Sequence, residues 1–70
     1  MSKYAIVIEK AESNYSAYVL DVPGCVATAP TVTGVRRKLL EALETHLELM
    51  RKAGETIPPP SAVTDYLEVV

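Results

Sequence analysis

The sequence predicts one small α+β domain, residues 1–70, with elements in the order β-β-β-α-β and a single helix packed on a small mixed sheet. Three observations carry that prediction. The first thirty residues hold three short runs of β-branched, aromatic and small side chains, separated by turn-forming residues. Residues 31–53 then change to an apolar repeat of about 3.6 residues. Residues 64–70 return to an extended alternation.

Residues 3–9, Lys-Tyr-Ala-Ile-Val-Ile-Glu, lack helix-period gaps and suit a well-buried first strand. Ser13 and Asn14 turn the chain, and residues 15–21 resume an extended, half-buried character, so a hairpin joins the two. Val22-Pro23-Gly24 has the chemistry of a type II turn, with proline presetting one φ and glycine tolerating the positive one. Residues 25–29 form a third strand of small side chains, closed by Pro30, which cannot donate to a ladder.

In the helical segment Val32, Val35, Leu39, Ala42, Leu43, His46 and Met50 share one side, and Arg37, Lys38, Glu41, Glu44, Glu48, Arg51 and Lys52 the other. Thr31 or Thr33 serves as N-cap, and Gly34 weakens the helix start by about 1 kcal/mol relative to alanine. Gly54 supplies the stop, with Arg51 and Lys52 favourably placed against the helix dipole. Ile57-Pro58-Pro59-Pro60-Ser61 must be extended, because each proline disfavours helix in the residue before it. Residues 64–70 are then expected as a fourth strand beside the first.

Composition bounds the function. Hydrophobic residues make up 49% and charged residues 23%, a globular balance that excludes a disordered chain. A single cysteine, Cys25, gives no disulfide framework and reads as a small buried hydrophobe in a reducing compartment. No run approaches the roughly 18 apolar residues of a spanning helix, and the opening MSKYAIVIEK lacks a signal-peptide cleavage site, so a cytoplasmic location without membrane contact is expected. The formal charge of -2 argues against direct nucleic-acid binding, whose affinity comes from neutralising phosphates.

The residues offer little catalytic chemistry. His46 is the only histidine and falls in the apolar arc of the helix, away from a nucleophile. One Cys and one His at unrelated positions make no zinc set, and Gly24, Gly34 and Gly54 are too dispersed for a nucleotide loop. No catalytic residue, metal site or cofactor is therefore assigned, and the chain is read as a non-enzyme. Glu9, Asp21 and Glu41 show no convergence toward a metal centre, and Asp21 is read as an acceptor for the amides of the turn that follows it.

Residues 15–28, Tyr-Ser-Ala-Tyr-Val-Leu-Asp-Val-Pro-Gly-Cys-Val-Ala-Thr, closely resemble the strand-turn-strand signature of the HicB-like antitoxin family of type II toxin-antitoxin systems, with Asp21, Pro23, Gly24 and Cys25 as its signature turn. Glu41-Ala42-Leu43, His46-Leu47, Gly54-Glu55 and the Ile57-Pro58-Pro59-Pro60-Ser61 exit continue the likeness over nearly the whole chain. Leu20 stands where the family usually has proline, and Gly34-Val35 where it has Glu-Ala. The resemblance implies a degenerate ribonuclease-H-like domain, often oligomeric, that neutralises a small basic mRNA-cleaving toxin, HicA, by covering its active site. It corresponds to the toxin-facing half of the family, without the DNA-binding segment that many members carry.

Tyr15, Tyr18 and Asp21 are the candidate partner contacts, since aromatics concentrate at interface hot spots and this strand flanks the signature turn. The alternative is that both tyrosines are sheet packing. Both alternations of the first strand, Tyr4/Ile6/Ile8 and Ala5/Val7, are apolar, which predicts a homo-oligomer, a dimer or tetramer. A stand-alone structural or ligand-sensing domain without a toxin partner is the other reading. A third, residual nuclease activity centred on Asp21, is left with too few carboxylates.

Overall fold

The computed structural model describes residues 2–70. Its elements are β1 (Ile6–Lys10), β2 (Tyr15–Val19), β3 (Val26–Ala29) and α1 (Val32–Lys52). The three strands form an antiparallel sheet in the order β1-β2-β3. Both connections are local, which is why the chain writes each as a tight reversal. Ala11 N donates to Asn14 O at 2.8 Å across the first turn. Cys25 N donates to Val22 O across the second, where Gly24 has φ +82°, the type II geometry that Pro23-Gly24 favours.

Register follows from the alternation of apolar residues. Ile6 faces Val19 and Ile8 faces Ala17, while Ala17 faces Ala27 on the other side. Ala17, Val19, Cys25 and Ala29 therefore share the side that meets the helix, where they are buried with Val22, Val35 and Leu39. The core is thin, built from small residues on β2 and β3 so that the helix can approach closely. α1 lies over those two strands and leaves β1 only partly covered.

Thr31 is the N-cap, with its hydroxyl accepting from Gly34 N at 3.0 Å. A Cβ on Gly34 would sit 2.9 Å from that hydroxyl oxygen and 3.4 Å from the Ala29 Cβ. The glycine that costs helix propensity is thus the residue that leaves room for the cap. At the other end Gly54 N donates to Arg51 O and Glu55 N to Met50 O, with Gly54 at φ +74°, a Schellman closure. Arg51 pairs with Glu48 at 2.6 Å on the exposed face, a contact that solvent screening makes weak.

The expected fourth strand is not formed. Residues 55–70 have no strand assignment, and residues 61–70 are exposed throughout. Alternation supplies a strand with its two faces but not with a neighbouring edge, and in this chain Ser61 and Ala62 are tied to Asp21 instead. The sheet is consequently antiparallel, not mixed, because only a returning fourth strand could have introduced parallel pairing.

Candidate functional site

A strand side chain alternates between faces, so the registers sort every sheet residue. On the face away from the helix, Val7, Tyr18 and Val26 lie side by side in one row across all three strands. Leu20, whose amide donates to Ala5 O at 3.1 Å, extends the apolar area at one end. Glu9, Ser16 and Thr28 form a parallel polar row at the other. Tyr18 and Leu20 are each 38% exposed and Val26 64%. These side chains make an aromatic and aliphatic patch with a carboxylate and hydroxyls along one border, an apolar centre with a polar rim.

The three residues singled out as partner contacts do not share this surface. Tyr18 is at its centre. Tyr15, three positions earlier, points to the helix side and packs against the core. Residue parity along the strand already separates the two. Val7, Val26 and Leu20 were missed as companions of Tyr18; their cross-strand neighbours emerge only once the register is known.

Asp21 has a different task from the one read in the sequence. Its carboxylate accepts from Ser61 N at 2.8 Å, Ala62 N at 2.9 Å and Ser61 Oγ at 3.1 Å, and the following turn closes without it through Val22 O. Those donors, the Ala62 amide first and the Ser61 amide next, hold its pKa below the ordinary 3.8. Tyr4 Oη donates to Pro58 O at 2.6 Å, so the proline segment is fixed at two points. In the signature turn Pro23 and Gly24 are exposed, while Cys25 is buried and its thiol pKa is raised by desolvation.

Among the described residues no three His, Cys, Asp or Glu side chains gather as a metal-holding cluster. His46 is half-buried beside Val22, Pro23 and Met50. No helix among the described residues is long and apolar enough to cross a membrane.

Comparison with known proteins adds two findings. A family model described as the HicB_like antitoxin of bacterial toxin-antitoxin system matches residues 4–69. A protein of Haemophilus phage HP1, named as an uncharacterized 14.9 kDa protein in the rep-hol intergenic region, is 33% identical over 64 residues, which cover 91% of this chain. The chain spans about half the length of that relative, 48%.

Proposed function

The chain belongs to the HicB-like antitoxin family of bacterial toxin-antitoxin systems, and on that premise we propose that it neutralises a small basic mRNA-cleaving toxin of the HicA type by covering the toxin's active site. The contact surface is the outer sheet face, centred on Tyr18. The observation that carries this reading is the Val7-Tyr18-Val26 row, an exposed apolar patch on a chain of net charge -2. Tyrosine there offers a broad apolar ring with a hydroxyl at its tip, suited to an anchor at the centre of an interface. Glu9 on the border adds a carboxylate for a basic partner.

In this reading the protein acts in the cytoplasm as a single domain, by steric cover and not by catalysis. The antiparallel β-β-β-α order is compatible with a degenerate ribonuclease-H-like domain lacking its fourth strand. Asp21 serves the position of residues 58–62 instead of contacting the toxin, and Tyr15 supports the sheet from the core side.

Binding of the chain to the protein encoded beside its gene tests the reading. Removing a central tyrosine anchor costs roughly 2 kcal/mol or more, so Tyr18→Asp should weaken binding by about 30-fold or more. Tyr15→Phe, on the core side, should leave affinity unchanged. Equal affinity for wild type and Tyr18→Asp would remove the outer face from the proposal.

A further inference from the structure

Residues 63–70 form an arm without strand assignment whose large apolar side chains are exposed. Val63, Tyr66, Leu67 and Val69 are each more than nine-tenths exposed, an arrangement water disfavours for four large apolar groups. The sequence alternates as a strand does, with Val63, Leu67 and Val69 on one face and Tyr66 and Val70 on the other. Among the described residues no backbone hydrogen bond joins this arm to the rest of the chain.

The sheet shows the complementary deficiency. β1 is an edge strand, and because α1 lies over β2 and β3, a groove of about 450 Å³ opens beside β1. Tyr4, Ile6, Leu40 and Leu43 line it, with Arg36 and Arg37 in its wall. Leu40 is 55% exposed there although it belongs to the apolar stripe of the helix. Neither arginine is in an ion pair among the described residues, and the arm carries Asp65 and Glu68. An unpaired edge, an apolar groove and two cations outside any ion pair thus match an unpaired strand, apolar side chains and the Asp65 carboxylate on their face.

The chain's own arm is led away from this groove. Pro58 is held by Tyr4 ahead of β1, and three residues later Ser61 and Ala62 are held by Asp21 at the end of β2. The backbone therefore crosses from β1 toward β2 as it leaves, and a return would have to turn within Val63 and Thr64, β-branched residues unsuited to a tight reversal.

We propose that residues 63–70 of one copy add as a fourth strand to the β1 edge of a second copy, with Leu67 and Val69 in the groove against Ile6, Leu40 and Leu43, and Asp65, on the same face, toward Arg36 and Arg37. The exchange is reciprocal and closes a two-fold dimer, which removes the β1 edge from solvent. It leaves the Tyr18 face open to another protein.

Sedimentation equilibrium of the full chain at micromolar concentration tests this. The wild type should show twice the chain mass. Leu67→Asp/Val69→Asp should show the monomer mass with the far-UV helix signal of α1 retained and the strand contribution of residues 63–70 lost, since both positions are exposed within one copy. A mixed sample of isotope-labelled and unlabelled wild type should give intermolecular NOEs between the Leu67 and Val69 methyls and those of Ile6, Leu40 and Leu43. A monomeric wild type, a dimer that survives the double substitution, or a dimer without those NOEs would overturn the exchange.

Discussion

Replacing Gly34 by alanine sets two local effects of similar size against each other. Glycine in a helix costs about 1 kcal/mol relative to alanine, so propensity alone makes Gly34→Ala stabilising by that amount. The added Cβ, however, would lie 2.9 Å from the Thr31 hydroxyl oxygen, closer than such contacts tolerate. The hydroxyl must rotate away and release the Gly34 amide it accepts from at 3.0 Å. A lost threonine cap costs about 1 kcal/mol, within a range of roughly 0.5–2. The two terms cancel, and the single variant should unfold within about 0.5 kcal/mol of wild type. In a Thr31→Ala background there is no hydroxyl to displace, and the same substitution should stabilise by about 1 kcal/mol. Urea unfolding of wild type, both single variants and the double variant gives the coupling directly, expected near 1 kcal/mol. If Gly34→Ala stabilises by the same amount in both backgrounds, the close approach of Gly34 to Thr31 does not control the helix start.

Other variants test other parts of the structure. Leu39 is 2% exposed in a thin core, so Leu39→Ala should cost about 2–5 kcal/mol out of a total of roughly 3.5–10 for a chain of this length, seen as a large fall in the urea midpoint; a loss below about 1 would contradict the packing. Asp21 has a depressed pKa in the fold, so its contribution to stability is complete above about pH 4 and disappears as the pH falls through the folded value. Urea midpoints of Asp21→Asn should therefore fall less steeply than those of wild type below about pH 4, and parallel curves would show that the Ser61 and Ala62 contacts do not persist in solution. Cys25 is 3% exposed with a raised thiol pKa, and since the thiolate is the reactive form, a disulfide reagent should modify it slowly in buffer and rapidly in urea. Equal rates would place Cys25 outside the core.

The parts of the fold legible in the sequence are those specified by neighbours in the chain. Pro23-Gly24, Thr31 and Gly54 each mark a reversal or a helix end through the φ angle or hydroxyl they supply, and the structure has the turn, the cap and the stop at those residues. The helix boundaries agree with the apolar repeat to within a residue at each end. Residues 64–70 were not legible in the same way, because alternation is a property of one strand and pairing a property of two. The role of Asp21 depends on residues forty positions away, a separation over which no spacing rule operates. The candidate surface is partly legible: the sequence singles out Tyr18, and parity along β2 separates it from Tyr15. Its neighbours Val7 and Val26 required the register.

The proposed role of this chain is to bind and silence a toxin. The most direct measurement is co-expression with the protein encoded beside its gene, reading growth and, after purification, co-elution on size exclusion. The account predicts that the neighbour alone arrests growth, that this chain restores it, that the two elute as one complex, and that Tyr18→Asp abolishes both restoration and co-elution while retaining its helical and strand spectrum. Growth arrest that this chain fails to relieve, with the two proteins eluting separately, would contradict it.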